Sequence, residues 1–450
     1  MVADQGVRVI PLKEAVTKLV DGSHNPPPKR EVGKPMLSAR NIENGRIVFD
    51  SYRFIDEAAF AHEHARSRVT ANDVLLTIVG TIGRTAVVSE GLPPFALQRS
   101  VAVLTPRNDL LPKYLCYQLQ APATQRYFEE NARGTAQKGV YLKTLGATPI
   151  QVPSLNKQLE VVDEIEKQFS RLDEAVANLQ RVKANLKRYK ASVLKAAVEG
   201  RLVETEASIA QREGRSYETG EQLLQRVLEE RRAKWAGHGS FSAEPPSESL
   251  EFVPDGWDVA SLDQLSTVVR GGSPRPAGDP RYFGGSVPWI TVGSITADET
   301  DYLRQANGGL TEEGKERSRF IEEHTLLLTN SGATLGVPKI SLISGCINDG
   351  VAALLDVEYP LKKYLLNYLR TRTDALRQVN QGAAQPNLNT TIIKAMVVPL
   401  PPASEQARIL AEVDRHISII REVEAEVDAN MQRAQALRQS TLSSAFSPKP

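Results

Sequence analysis

Two glycine-containing segments, Arg133–Lys138 and Asn380–Gln385, combine side chains that suit hydrogen bonding to nucleic-acid bases. Gln137 of the first segment corresponds to Gln385 of the second at an offset of 248 positions. Gln and Asn bond bidentately to adenine, Arg bonds bidentately to guanine, and the small Gly and Ala let a backbone approach closely. We therefore expect each segment to read bases. A loop that only docks the neighbouring helix is the alternative.

Other polar loops supply further candidates of the same kind. The segments Gly80–Thr85 and Gly332–Gly336 lack the Gly-x-x-x-x-Gly-Lys-Ser/Thr pattern of a phosphate-binding loop. We expect them either to approach a DNA backbone or to form plain turns. The full set of predicted DNA-contacting residues is Ser23, His24, Arg40, Asn41, Arg84, Arg99, Arg133, Gln137, Lys138, Ser273, Arg275, Arg281, Asn330, Ser331, Gln381, Gln385 and Asn387.

Residue patterns for catalysis are incomplete. Asn25–Pro28 resembles the Asn-Pro-Pro-aromatic motif of adenine methyltransferases but lacks the aromatic ring, which favours a turn. His62 and His64 have no third ligand nearby in the sequence, which favours a solvated loop over a metal site. Cys116 and Cys346 lie far apart and outside any Cys-x-x-Cys pattern. We therefore expect no catalytic residue, no metal site and no cofactor in this chain.

The composition is that of an ordinary globular protein, with 41% hydrophobic and 24% charged residues and a net charge of +1. Residues 1–154 carry 19 Lys and Arg against 14 Asp and Glu, whereas residues 251–402 carry 14 against 17. The acidic second half counts against nucleic-acid binding, because phosphate neutralisation usually leaves a basic surface. No span approaches the roughly 20 apolar residues of a membrane helix, and charges interrupt residues 1–20, so we expect a cytoplasmic protein without a membrane segment.

The sequence contains an internal repeat of one unit. At the offset of 248, Val152-Pro153 corresponds to Leu400-Pro401, and Gln158 corresponds to Gln406. Upstream, with slips of a few residues, the matching pairs are Asp21-Gly22-Ser23 with Gly271-Gly272-Ser273, Pro35-Met36-Leu37 with Pro288-Trp289-Ile290, Asn41-Ile42 with Ser294-Ile295, Leu75-Leu76-Thr77 with Leu327-Leu328-Thr329, and Lys113-Tyr114-Leu115 with Lys363-Tyr364-Leu365. Self-similarity over this length predicts two copies of one structural unit.

Each copy has a globular part followed by a long helix. Short β-type runs such as Val74–Val79 alternate with amphipathic segments such as Lys113–Phe128 and Lys362–Val379, which predicts α+β domains. Apolar positions then recur at steps of three and four from Leu159 to Val193, and again from Leu410 to Leu437. A narrow apolar stripe of this length predicts a paired coiled coil.

These patterns divide the chain into four parts. Residues 1–153 and 251–401 form two similar globular domains. Residues 154–250 form the first long helix, a short charged helix at Gln222–Trp235 and a linker, and residues 402–450 form the second long helix. Gly200 ends the first long helix, as glycine commonly does.

Together these elements resemble the specificity subunits of type I restriction-modification enzymes over essentially the whole chain. The distinctive strings are Phe252–Trp257, Pro288-Trp289-Ile290, and Pro401-Pro402 leading to Glu405-Gln406, with Pro153–Gln158 as the first copy of the last. The resemblance implies two target-recognition domains separated by two long antiparallel coiled-coil helices that act as a ruler, with a pseudo-two-fold internal repeat. The first domain departs from the family because it lacks the Pro-x-Gly-Trp opening.

The resemblance also implies a non-catalytic subunit that reads a bipartite, asymmetric target in double-stranded DNA, one half-site per domain. Two modification subunits would carry the methyltransferase site and two restriction subunits the motor and nuclease, so S-adenosylmethionine, ATP and Mg²⁺ are expected on those partners. One alternative is a stand-alone DNA methyltransferase, which the missing cofactor motifs disfavour. The other is a coiled-coil scaffold that does not bind DNA. It would explain the acidic second domain but not two loop-rich domains.

Overall fold

The computed structural model describes residues 7–43, 45–134, 137–235, 241–379 and 387–447. The chain forms two compact units. Unit 1 contains residues 1–182 and 426–450, and unit 2 contains residues 183–425. The division between the units falls inside each of two 44-residue helices.

Unit 1 alternates short strands with short helices before the first long helix begins. Its strands are β1 (Arg8–Pro11), β2 (Val16–Asp21), β3 (Lys34–Leu37), β4 (Ile42–Glu43), β5 (Arg46–Ile47), β6 (Arg53–Ile55), β7 (Val74–Thr77), β8 (Thr85–Val87), β9 (Ala96–Leu97), β10 (Val101–Pro106) and β11 (Pro149–Val152). Its helices are α1 (Leu12–Ala15), α2 (Glu57–Ser67), α3 (Pro112–Gln120), α4 (Pro122–Asn131), α5 (Leu142–Gly146) and the first part of α6 (Leu155–Val198).

Unit 2 adds two helices and then follows a similar order of elements. Its strands are β12 (Asp258–Ser261), β13 (Thr267–Arg270), β14 (Phe283–Ile290), β15 (Tyr302–Leu303), β16 (Gly309–Leu310), β17 (Arg319–Ile321), β18 (Leu326–Thr329), β19 (Pro338–Ser341), β20 (Gly345–Ile347), β21 (Val351–Leu355) and β22 (Val397–Leu400). Its helices are α7 (Glu206–Glu213), α8 (Gly220–Ala233), α9 (Leu262–Leu265), α10 (Val292–Ile295), α11 (Glu312–Glu316), α12 (Leu361–Val379), α13 (Thr390–Lys394) and the first part of α14 (Ala403–Phe446).

The central sheet of unit 1 has four antiparallel strands in the order β2-β10-β7-β8. Both faces of β7 are buried, because successive side chains of a strand point to opposite faces. Leu76 packs with Leu104 against the helical side, whereas Leu75 packs with Leu97 and Val103 on the other side. The sheet is therefore a rigid layer between two cores.

The central sheet of unit 2 repeats this order as β13-β21-β18-β19 and adds β15 as a fifth strand, parallel to β19. Leu328 packs in the core that contains helix α12, and Leu327 packs in the opposite core. A second sheet in each unit contains a matching parallel pair. Met36 pairs with Ala96 in unit 1, and Trp289 pairs with Cys346 in unit 2. The predicted α+β fold and the internal repeat are confirmed.

A small antiparallel sheet precedes each long helix, β1 with β11 in unit 1 and β12 with β22 in unit 2. The buried Gln158 donates to Pro153 O at 2.9 Å and to Asp109 O at 2.8 Å, and it accepts from Leu111 N at 2.7 Å. Gln406 of unit 2 donates to Pro401 O at 2.9 Å in the same way. The repeated Gln thus ties the start of each long helix to the strand before it.

The long helices pack antiparallel inside each unit. In unit 1 the start of α6 lies beside the end of α14. There Arg438 binds Asp173 at 2.8 Å, and its guanidinium carbon lies 4.0 Å from the centre of the Phe169 ring. In unit 2 the order is reversed, since Tyr189 near the end of α6 bonds His416 near the start of α14 at 2.9 Å. The predicted coiled-coil pairing is confirmed.

One local prediction needs correction, and two features of the helices were not predicted. Lys113–Phe128 is not one helix, because Ala121 takes an extended conformation and Pro122 begins a new helix, as proline commonly does. His62 and His64 lie on helix α2 rather than in a loop, and the ring of His64 stacks on Phe60. Helix α7 was not predicted. No helix in the part of the chain that the structure describes is long and apolar enough to cross a membrane.

Replacing Gln158 with Ala removes three hydrogen bonds and leaves the Leu111 N–H without its acceptor. We expect the free energy of unfolding to fall by about 1 to 3 kcal/mol, the cost of leaving a buried donor unsatisfied. Denaturant unfolding of the full chain measures it. The control is Gln168→Ala, because that amide donates only to Glu164 in the same helix among the described residues. Equal losses of unfolding free energy for both variants would contradict the role of Gln158 in tying the helix to the preceding strand.

Candidate nucleic-acid interface

The loops that carry most predicted contacts of unit 1 emerge at one end of its central sheet. Strands β2 and β7 end there, and β8 and β10 begin there, because neighbouring strands run antiparallel. The loops are residues 22–24, 78–84 and 98–100. Residues 133–134 and 137–139 join them, since Gly139 forms bridges with Val79 and Arg133. We call this part of unit 1 sheet end 1.

Backbone hydrogen bonds hold the loops of sheet end 1 together. Arg99 donates its N–H to Ser23 O at 2.9 Å, and Gly80 donates to Lys138 O at 3.1 Å. The turn that contains Arg40 joins them, because the N–H of the preceding residue donates to Ser100 Oγ at 3.1 Å. Segments far apart in the sequence therefore share one surface.

Sheet end 1 is cationic. Arg40, Arg84, Arg99, Arg133 and Lys138 are exposed, and none of them forms an ion pair within the described part of the chain. Cations without carboxylate partners leave a positive potential that attracts phosphate groups. The exposed Gln137 lies in the same segment as Arg133 and Lys138.

His24 differs from these five residues because its ring contacts the carboxylate of Asp21. Its Nε2 lies 2.7 Å from Asp21 Oδ2, and its side chain remains 55% exposed. The ring therefore projects from the sheet end with one nitrogen engaged. The other nitrogen is the group it can offer a ligand.

Unit 2 repeats much of the backbone frame of sheet end 1, and we call the matching region sheet end 2. All distances are between 2.7 and 3.1 Å. The matched bonds are Gly22 N to Val101 O and Gly271 N to Val351 O, Ile78 N to Ser100 O and Asn330 N to Gly350 O, Val140 N to Ile78 O and Leu388 N to Asn330 O, and Gly83 N to Thr77 O and Gly336 N to Thr329 O.

These bonds correct the register of the sequence repeat at one loop. Gly22 corresponds to Gly271 rather than to Gly272. A Cβ atom at Gly22 would lie 2.2 Å from Leu97 O, and one at Gly271 would lie 2.2 Å from Asn348 O. Only glycine fits where two backbones approach this closely.

The side chains on the second frame are less cationic. Arg275 lies 3.6 Å from the carboxylate of Asp349, which also accepts a 2.5 Å hydrogen bond from Ser273 Oγ. Arg281 lies in a separate loop, and its guanidinium binds Asp279 at 2.7 Å. Hydrogen bonds from the side chain and the backbone of Arg281 lower the pKa of Asp279. Sheet end 2 therefore offers a mixed surface of hydroxyl, carboxylate and guanidinium groups.

Two further predicted residues lie together at sheet end 2. Ser331 and the exposed Asn387 face each other across a β-bridge. Gln381 and Gln385 lie outside the described residues, so their part in the predicted site stays a prediction.

Three predicted contact residues are buried, which corrects the expectation for their side chains. Ser23, Asn41 and Asn330 are 3%, 2% and 0% exposed. The Asn41 amide is used inside the fold, because it accepts from Ser38 N and donates to Val48 O. The amide atoms of Asn330 have no hydrogen-bond partner among the described residues. Asn330 occupies the position of the apolar Ile78 in unit 1.

The sequence analysis missed two polar residues of sheet end 2. Asn348 corresponds to Gln98 of unit 1, and Asp349 corresponds to Arg99. Both follow from the frame, since Val351 corresponds to Val101. The Oδ1 atom of Asn348 is buried and has no partner among the described residues. The repeat itself was the signal that could have found them.

The described residues contain no group of three or more His, Cys, Asp or Glu side chains that could hold a metal ion. One backbone frame built twice, with different polar side chains on its loops, defines a protein with two similar recognition domains. The chain belongs to the family of the type I restriction modification DNA specificity domain, whose model matches residues 30–188 and 254–429.

Individual relatives agree with the family. The chain is 27% identical over 212 residues to the type I restriction enzyme EcoBI specificity subunit of Escherichia coli, covering 47% of this chain and 44% of that protein. It is 29% identical to the MjaIX specificity subunit of Methanocaldococcus jannaschii over 35% of this chain and 37% of that protein. The matches thus span less than half of either relative.

One solved structure shares the fold along the whole chain. It is described as "Structural basis underlying complex assembly and conformational transition of the type I R-M system". Its matching chain is 19% identical, with 98% of each chain covered and a TM-score of 0.62. This likeness shows the fold.

Replacing Gly271 with Ala should disturb sheet end 2, because the new Cβ would meet Asn348 O at 2.2 Å. We expect the free energy of unfolding to fall by about 1 to 3 kcal/mol, as for other overpacked sites. The neighbouring Gly272→Ala is the control, since its Cβ would lie 3.8 Å from the nearest atom. Thermal unfolding compares them, and an unchanged melting temperature for Gly271→Ala would contradict the close approach.

Proposed function

We propose that this chain is the DNA-reading subunit of a type I restriction-modification complex. It binds a bipartite, asymmetric target in double-stranded DNA, and each sheet end reads one half-site. The observation that carries this proposal is the backbone frame that occurs twice with different side chains. Equal frames support equivalent contacts with DNA, and unequal side chains support two different half-site sequences.

The chemistry of the two sheet ends supports DNA as the ligand. The five cations of sheet end 1 suit phosphate oxygens and the O6 and N7 acceptors of guanine. Gln137, Ser331 and Asn387 add amide and hydroxyl groups, which bond to base edges as well as to phosphates. Loops mounted on a packed sheet hold such groups in fixed positions, which base reading requires.

The chain acts in this proposal without catalysing a reaction itself. Two modification subunits carry the methyltransferase site and its S-adenosylmethionine, and two restriction subunits carry the ATP-driven motor and the Mg²⁺-dependent nuclease. The family assignment supports this division of labour. The complex is expected in the cytoplasm, where genomic DNA lies.

Co-expression with the modification subunits tests the function directly. We expect genomic adenine methylation at one motif made of two unlike half-sites and an unspecified spacer. Omitting this chain should abolish the methylation. Methyl transfer by the purified chain alone would instead support a stand-alone methyltransferase, and methylation that does not depend on this chain would refute the proposal.

The cations of sheet end 1 should make binding depend on salt. The double variant Arg84→Gln with Lys138→Gln should lower the slope of log affinity against log salt by about one for each phosphate group that is no longer neutralised. Titrations of the complex with the modification subunits against target DNA at several salt concentrations measure this slope.

The matched control is Arg107→Gln. Arg107 follows β10 at the opposite end of the same sheet and lies 3.7 Å from the Asp109 carboxylate. We expect its salt slope to equal that of the unmodified chain. Equal slopes for the double variant and the unmodified chain would remove these two cations from the proposed interface.

A further inference from the structure

Asp349 is an acid at a position where its counterpart in unit 1 is a cation. The frame makes it equivalent to Arg99, because both residues stand two positions before the strand that begins at Val351 or Val101. The two loops share flanking backbone bonds, since Val101 N donates to Gln98 O and Val351 N donates to Asn348 O, and they carry opposite charges. A carboxylate repels phosphate groups, so a DNA surface gains nothing from an acid that faces the backbone of the duplex.

The contacts of Asp349 leave part of its carboxylate free. Oδ1 accepts from Ser273 Oγ at 2.5 Å, and Oδ2 lies 3.6 Å from Arg275 Nη2, beyond ordinary hydrogen-bond distance. The side chain of Asp349 is 45% exposed and that of Arg275 is 71% exposed. Oδ2 can therefore accept from a ligand while Ser273 fixes the orientation of the carboxylate.

We propose that Asp349 is a specificity-determining residue of sheet end 2 that accepts a hydrogen bond from the N4 amino group of a cytosine in the major groove. This inference rests on the proposed function. A carboxylate has only acceptors at neutral pH, so it meets repulsion from guanine O6 and N7, thymine O4 and adenine N7. Cytosine presents a donor without a competing acceptor of its own.

Arg275 extends the same reading to the paired base. Its guanidinium donates in a fork that matches the O6 and N7 atoms of guanine. Asp349 and Arg275 lie side by side and together complement a cytosine–guanine pair. The Arg99 position in unit 1 suits guanine by the same rule, so the two half-sites differ at the equivalent position.

Asp349→Asn tests the proposal because it removes the charge and keeps an oxygen that can accept from Ser273. The complex with the modification subunits is challenged with a DNA library randomised in both half-sites, and bound sequences are counted. We expect one position of the half-site read by unit 2 to be cytosine for the unmodified chain. Preference for cytosine there should fall at least about five-fold in the variant, the lower bound for one good base contact, with adenine gaining because an amide suits it.

The matched control is Asp356→Asn, at the opposite end of the same strand β21. Asp356 also accepts from a hydroxyl, that of Thr267 at 2.6 Å, and its φ of 61° is one that Asn tolerates. It should bind the same sequences as the unmodified chain. Retained preference at the other positions of the half-site read by unit 2 shows that unit 2 of Asp349→Asn is folded.

Three results would overturn the proposal. An unmodified chain with no cytosine preference at any position read by unit 2 would exclude the contact. So would a variant that keeps both half-sites unchanged, and in each case the proposed function would stand. An unmodified complex that binds DNA without any sequence preference would contradict the proposed function as well.

Discussion

The close approach of two backbone segments at the end of each central sheet is the constraint on which both units depend. Gly22 and Gly271 occupy places where a single added carbon would overlap a carbonyl oxygen of the facing loop. The N–H of each glycine bonds the first residue of the central strand beside it. Because backbone bonds fix much of these loops, many of their side chains are free to differ. The backbone frame determines the positions of the loop residues, and the side chains at those positions determine which ligand groups can bind there.

That separation explains how one fold serves two unlike surfaces. At equivalent positions Arg99 faces solvent in unit 1, and Asp349 does so in unit 2. Such a charge reversal inside a packed core would be costly, because a buried unpaired charge loses its hydration. At the rim of the sheet the flanking backbone bonds remain, such as that from Val101 N to Gln98 O and its counterpart from Val351 N to Asn348 O. Recognition can therefore diverge between the units without a change in the fold.

Periodic patterns predicted most of the fold, because they record burial directly. The apolar stripes predicted a paired coiled coil, the family resemblance implied that its helices are antiparallel, and the repeated Gln158 and Gln406 indicated a shared start for both. The site was harder to predict. A polar residue in a loop has the same sequence signature whether it faces solvent or bonds the backbone, which is why Asn41 was misplaced. Asp349 was missed because an acid is an unusual DNA contact, and only its equivalence to Arg99 in the repeat marks the position.

The acidic balance of residues 251–402 is a poor guide to the charge at sheet end 2. Charges of both signs are paired inside the fold, where Asp301 binds Lys363 and Arg370, so the sum over the sequence does not give the charge at the surface. Asp349 and Arg275 nearly cancel one another at the surface. In the proposed function, unit 2 then gains little from the release of counterions and depends on directed hydrogen bonds, which discriminate between bases. Unit 1, with the cations of sheet end 1, supplies more of the salt-dependent affinity. A bipartite target suits this difference in charge between the units. Contacts of unit 1 with phosphate groups supply affinity, while hydrogen bonds of unit 2 with base edges discriminate between sequences.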